Sequence, residues 1–160
     1  MTRFRLAFGF GVLLASALAP AASAFDLTGT WEGRWSCQGF DGAKFRSSNG
    51  VSTLLITQAG NALNVNMDAG EYLYTGGAIP DAESPDTKGE IALAQCGTDN
   101  IPLAGPDSEI LRARVKTKPE TGAGAIKALS ILESSIPDVL TCKYSYKRVD
   151  TADPAVPGCP

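Results

Sequence analysis

Leu27-Thr28-Gly29-Thr30-Trp31-Glu32-Gly33-Arg34-Trp35-Ser36-Cys37 is the stretch that decides how the rest of this chain is read. From Trp31 onward the odd positions carry Trp31, Gly33, Trp35 and Cys37, and the even positions carry Glu32, Arg34 and Ser36. A repeat of two is that of a strand with one wet face and one face against a core. Two tryptophans on the dry face, separated by glycine, predict an interior built from large and small side chains in alternation.

Working outward, the same signature recurs. Candidate strands follow at Val51–Gln58, Asn61–Asp68, Glu71–Ile79, Glu90–Gln95, Glu109–Thr117, Ala125–Glu133 and Val139–Arg148, which with the first makes eight. Asn61 to Asp68 alternates almost perfectly, with Leu63, Val65 and Met67 on one side and asparagines on the other. Gly and Pro clusters separate the strands at Gly76-Gly77, 80–89, 102–106 and 119–124. The expected fold is all-β, an eight-stranded antiparallel up-and-down barrel, since closure removes the exposed edges that such a sheet would otherwise present. A two-sheet sandwich satisfies the same pattern and stands as the alternative.

Residues 1–24 read as an export signal: Arg3 and Arg5, an apolar run from Leu6 to Ala19, and the small-residue cleavage signature Ala22-Ser23-Ala24. No cysteine follows at once to carry a lipid, and no later apolar run reaches the roughly 20 residues of a membrane helix. The expected organisation is therefore signal peptide 1–24, barrel domain 25–150 and a Pro-bearing tail 151–160, in a periplasmic or secreted protein. The short signal and the lack of an Asn-x-Ser/Thr sequon fit a bacterial source.

The chain carries 14 basic and 17 acidic residues and no histidine. Nine acids and only Lys88 fall between Asp68 and Glu109, whereas eight bases and three acids fall between Arg112 and Arg148. No basic tract with interleaved aromatics suggests nucleic acid. Without histidine the usual general base, the Ser-His-Asp and Cys-His arrangements and most zinc sites are excluded. No phosphate loop is present, because Gly122-Ala123-Gly124 lacks the Walker pattern. Glu32, Asp41 and Glu71 read as solvated acids, and Asp81, Glu83 and Asp86 as a mobile acidic loop without EF-hand spacing. Arg112, Arg114 and Lys116 alternate with Leu111, Ala113 and Val115, an outward face with the option of an anionic partner. No catalytic residue, metal site or cofactor is assigned. The four cysteines, Cys37, Cys96, Cys142 and Cys159, are an even set that suits two disulfides in an oxidising compartment, with three pairings open.

Gly29-Thr30-Trp31 followed at the far end by Arg148 resembles the lipocalin-like, calycin-type barrels, here in a small exported bacterial form. The resemblance covers the first and last strands, and the middle by strand count. The Thr-Asp-Tyr motif of larger lipocalins is matched at most by Thr98-Asp99-Asn100, and no C-terminal helix is evident. The resemblance implies that Trp31 closes the barrel floor under Arg148, both with structural roles. If these two residues oppose each other on antiparallel strands, opposed positions sum to 179, which also sets Cys37 against Cys142 on the same face. Cys96 is then left to bond Cys159, holding the tail against the loop after the fifth strand.

This register turns Trp31, Trp35, Tyr144 and Tyr146 inward, joined by Leu63, Val65, Met67, Tyr72 and Tyr74. The candidate ligand-binding residues are Trp35, Tyr72, Tyr74, Tyr144 and Tyr146, whose hydroxyls would anchor a ligand in an otherwise apolar pocket. The expected function is a non-enzymatic exported binding protein for a small hydrophobic or amphipathic ligand. A protein-binding barrel of the protease-inhibitor type is the alternative, although Phe25 and Asp26 make a short arm for that mode. Leu27 to Trp31 is also similar to an avidin first strand, but no tryptophan follows Trp35 as avidins require.

Overall fold

A computed structural model describes residues 25–40, 44–68, 72–98, 101–102, 108–133 and 139–159. The proposed signal peptide, Asp41, Glu71 and Asp99-Asn100 lie outside the described residues. Nine strands run through the remainder: β1 Gly29–Phe40, β2 Phe45–Ala59, β3 Ala62–Met67, β4 Tyr72–Pro80, β5 Lys88–Thr98, β6 Ile101–Pro102, β7 Ser108–Lys118, β8 Ala123–Glu133 and β9 Val139–Asp150. Eight of them close into an antiparallel up-and-down barrel. Each pairs with its sequence neighbour, β5 pairs directly with β7, and β1 with β9 completes the ring. The short β6 only folds back on the end of β5. Closure rules out the sandwich, which would leave β4, β5, β1 and β9 without these partners.

The seam follows the expected register. Trp31 opposes Arg148, Gly33 opposes Tyr146, Trp35 opposes Tyr144, and Cys37 opposes Cys142. An irregularity between Thr30 and Trp31 shifts Thr30 onto Asp150. Several strands run longer than expected, β2 and β5 by the most: β2 starts at Phe45 rather than Val51, and β5 spans Lys88–Thr98 rather than Glu90–Gln95. After Phe45 the added residues at the start of β2 are Arg, Ser, Asn and Gly, whose low strand propensity hides a segment held by pairing with β1.

Trp31, Leu54, Ile56, Leu63, Val65, Tyr74, Ile91, Leu111, Val115, Ile126 and Tyr146 form one interior cluster, while Glu32, Arg34, Arg112, Arg114, Lys127 and Lys143 stand on the outside. This sense, apolar within and charged without, is opposite to that of transmembrane barrels. No helix among the described residues is long and apolar enough to cross a membrane.

The chain plugs one end of its own barrel. Phe25 and Leu27 are buried beneath Trp31, the Trp31 indole donates to the Leu27 carbonyl at 2.9 Å, and the Gln58 amide braces the segment from Leu27 N and to Phe25 O. Arg148 stacks over Trp31, its Cζ 4.8 Å from the ring centroid, and donates to the Asp26 carbonyl. Large rings rest on glycines here: a Cβ on Gly124 would stand 2.5 Å from Trp31, and one on Gly89 2.3 Å from Phe25.

Both cysteine pairs stand at disulfide distance, Cys37 with Cys142 (Cα–Cα 4.0 Å) and Cys96 with Cys159 (5.8 Å). The second pair corrects one expectation, because Cys96 belongs to β5 itself rather than to the loop after it. The tail therefore straps the outer face of the barrel. Leu73, outward by register, is only 2 % exposed and Val156 is buried, yet both stand apart from the interior cluster, and a Cβ on Gly158 would lie 3.9 Å from Asn64 on β3. Two pairs of this kind are compatible with an oxidising compartment.

Candidate functional site

At the end of the barrel opposite the plug, the inward parity of six strands converges on a cup of about 300 Å3. We call this end the mouth. Trp35 and Cys37 of β1, Ser48 of β2, Met67 and Asp68 at the end of β3, Tyr72 and Tyr74 of β4, Glu109 of β7, and Leu140, Cys142 and Tyr144 of β9 line it. The Cys37–Cys142 pair is part of the wall, so the same covalent tie that closes the seam also fixes the spacing of Trp35 and Tyr144 beside it.

Glu109 lies at the base of the cup with 5 % of its surface exposed. Its Oε2 accepts a hydrogen bond from Tyr74 at 2.5 Å and its Oε1 one from Tyr144 at 2.8 Å. Phenols donating to a carboxylate make short, strong bonds, and a buried carboxylate needs them to offset lost hydration. Ser130 donates to Tyr144 Oη at a long 3.5 Å. Burial raises the pKa of the Tyr74 hydroxyl far above the ordinary phenol range, and the neighbouring Glu109 raises it further. Tyr144 is raised in the same way, first by burial and then by Glu109, with its Ser130 bond opposing. Both tyrosines therefore stay protonated and act as donors toward the carboxylate.

Four of the five expected ligand residues meet at this cup: Trp35, Tyr72, Tyr74 and Tyr144. Tyr146 does not. It lies one pleat deeper, fully buried, sharing a 3.0 Å hydrogen bond with Ser52 and stacked on Tyr144 with centroids 6.1 Å apart. Burial is the main cause that raises its pKa, the Ser52 bond opposing and Asp68 and Glu109 adding to the rise. Glu109 is the residue that sequence reading missed. The signal was available, since Glu109 shares the parity of Leu111, Ala113 and Val115, which places a carboxylate on the inward face. Asp68 was missed as well. It adopts φ 54°, a left-handed conformation that Asp tolerates, and accepts from Thr53 N at 2.9 Å.

Other candidates resolve differently. Asp81 caps its own turn, its carboxylate accepting from Glu83 N and Ser84 N at 3.0 and 2.9 Å. Among the described residues no group of three His, Cys, Asp or Glu side chains is placed to hold a metal ion. A larger concavity of about 730 Å3 runs along the outside of β5 and β7–β9, where Arg112, Arg114, Lys127 and Lys143 rise around Ala92 and Leu129. It is a groove between long exposed side chains, and Arg114 there faces Glu90 at 3.7 Å. The interior cup has what this groove lacks, a carboxylate withdrawn from water and rigid aromatic walls. No family model, no curated protein and no solved structure matches this chain.

Proposed function

We propose that this protein is an exported, non-enzymatic binding protein of lipocalin-like type that carries or sequesters a small amphipathic molecule in the cup at its mouth. The observation that carries this reading is the cup itself, about 300 Å3 of mostly apolar space between Trp35, Tyr72, Met67 and Leu140, with the Glu109 carboxylate among its lining groups. That volume suits a small ligand, at the low end of ordinary ligand sites. Beneath the cup the interior carries one continuous cluster of buried side chains, which places the ligand at the mouth. Two cysteine pairs support export, as does the basic-apolar-small order of residues 1–24.

Native mass spectrometry of protein recovered from the export compartment of its own host tests the reading. A co-purifying small molecule, lost in Trp35→Ala, is the expected outcome. Repeated preparations with no bound molecule, together with tryptophan fluorescence unmoved by a panel of small amphiphiles, would count against it. A protein-binding role has one observation in its favour, the outer groove ringed by Arg112, Arg114, Lys127 and Lys143. On that reading the partner is acidic and its association weakens steeply with salt.

A further inference from the structure

The donors and acceptors at the base of the cup are unevenly supplied. Both phenol hydrogens of Tyr74 and Tyr144 are committed to Glu109, so the groups left to face a ligand there are carboxylate and phenol oxygens, all acceptors. A carboxylate has about four lone-pair positions, and two are used. Asp68 adds a second carboxylate on the wall, one of its oxygens held by Thr53 N. Among the described residues that line the cup there is no lysine or arginine. Lys44 and Arg46 stand on the β1–β2 hairpin beyond it, exposed, and each has an interaction of its own. By sequence alone, the segments that connect strands at this end carry Asp41, Glu71, Asp99, Asp107 and Asp138 against Lys44.

We infer that the cup selects ligands bearing a primary ammonium group on a short apolar body, with the nitrogen seated on Glu109 and the apolar body between Trp35, Met67 and Leu140. This rests on the binding reading above and narrows it. An ammonium brings three N–H donors to a base that offers only acceptors, and its charge complements the Glu109 carboxylate withdrawn from water. A carboxylate ligand would meet like charge, and an alcohol would supply one donor and no charge.

Calorimetric titration of the mature chain with octylamine, octan-1-ol and octanoate, three ligands of one tail length, decides the matter. Octylamine is expected to bind about tenfold or more tighter than octan-1-ol, with octanoate weakest, on the scale of one charge-assisted contact. In Glu109→Gln the ratio of amine to alcohol affinity should collapse toward one, while in Tyr74→Phe, which keeps the carboxylate, the preference should persist. Octan-1-ol or octanoate binding as well as octylamine would overturn the ammonium inference and leave a carrier of amphiphiles standing. Binding of none of the three would overturn the carrier reading and the inference together. A preference undiminished in a folded Glu109→Gln chain would remove Glu109 from the role given to it. The wild-type ranking needs no variant, so it decides even if Glu109→Gln does not fold.

Discussion

The two ends of this barrel are built from similar parts and finished in opposite ways. Each has a tryptophan of β1 facing a β9 residue across the seam, Trp31 with Arg148 at one end and Trp35 with Tyr144 at the other. At the closed end the polar groups are answered by the chain itself: the indole N–H by Leu27 O, the guanidinium by Asp26 O, the Leu27 amide by Gln58. At this end the buried Arg148 Nε is left without a hydrogen-bond partner. Burial lowers the guanidinium pKa there, with Asp26 countering. At the mouth the answering group is the buried Glu109 carboxylate, which accepts from both Tyr74 and Tyr144. The same scaffold thus separates a structural end, where a cation covers an indole, from an end with unfinished hydrogen bonding that a ligand can complete.

Alkaline titration should act on the mouth first and produce the largest effect. An unperturbed phenol titrates near 10.0, and in the folded chain Tyr74, Tyr144 and Tyr146 are all raised above it. Above that value the unfolded chain gives up phenol protons that the folded chain keeps, so unfolding releases protons and rising pH favours it. This stabilisation is complete below pH 10 and is lost as pH climbs from there. Urea midpoints should therefore hold steady to about pH 9.5 and fall above pH 10, more gently in Tyr74→Phe. A midpoint that stays flat through about pH 11 would show that the phenols are not held as described.

Next in size is the contrast between the tryptophans. Trp31 is fully buried under Arg148, and its loss leaves a cavity at the centre of the plug, so Trp31→Ala should cost about 3–5 kcal/mol in chemical denaturation. Trp35 is half-exposed on the cup wall, and Trp35→Ala should cost about 1–2 kcal/mol while weakening ligand binding more than folding. Equal losses of stability at the two sites would erase the distinction between a structural and a binding end.

How far this division was legible in the sequence depends on which contacts are local in pattern. Period-two alternation gave the strands and their inward faces, and the opposition of Trp31 to Arg148 gave the seam register and the first cysteine pair, because one register fixes every other pair along two strands. The start of β2 was not legible, since its polar residues are held in the sheet by β1 rather than by their own propensity. The tie of the tail to Cys96 was legible, but its seat on β5 rather than on the following loop was not, since the expected strand stopped at Gln95. Glu109 was legible by parity, since it continues the inward face of Leu111, Ala113 and Val115.

Arg148→Lys keeps the charge at the closed end and loses the planar fork that stacks on Trp31 and reaches the Asp26 carbonyl. A loss of about 1–3 kcal/mol is expected from thermal and urea unfolding, with affinity at the mouth untouched. An unchanged melting temperature would mean that the stack contributes nothing to closing the floor.

The smallest expected difference is the sharpest test of rigidity at the two ends, because it adds a single methyl to each. A Cβ on Gly124 would stand 2.5 Å from the Trp31 ring, and one on Gly50 would stand 2.9 Å from the Trp35 ring. Both distances require something to move. Trp31 is held from below by Leu27, from above by Arg148 and through its N–H, so it cannot yield without disturbing the plug. Trp35 borders the cup and can tilt into it. Gly124→Ala should therefore cost about 1–3 kcal/mol as an overpacked core does, while Gly50→Ala should cost less than about 1 kcal/mol and narrow the cup instead. The expected pattern is a lowered melting temperature with normal ligand affinity for Gly124→Ala, and a near-normal melting temperature with weakened affinity for Gly50→Ala. The reverse pattern would place the rigid ring at the mouth and the adaptable one at the floor, against the division of the barrel drawn from its hydrogen bonds.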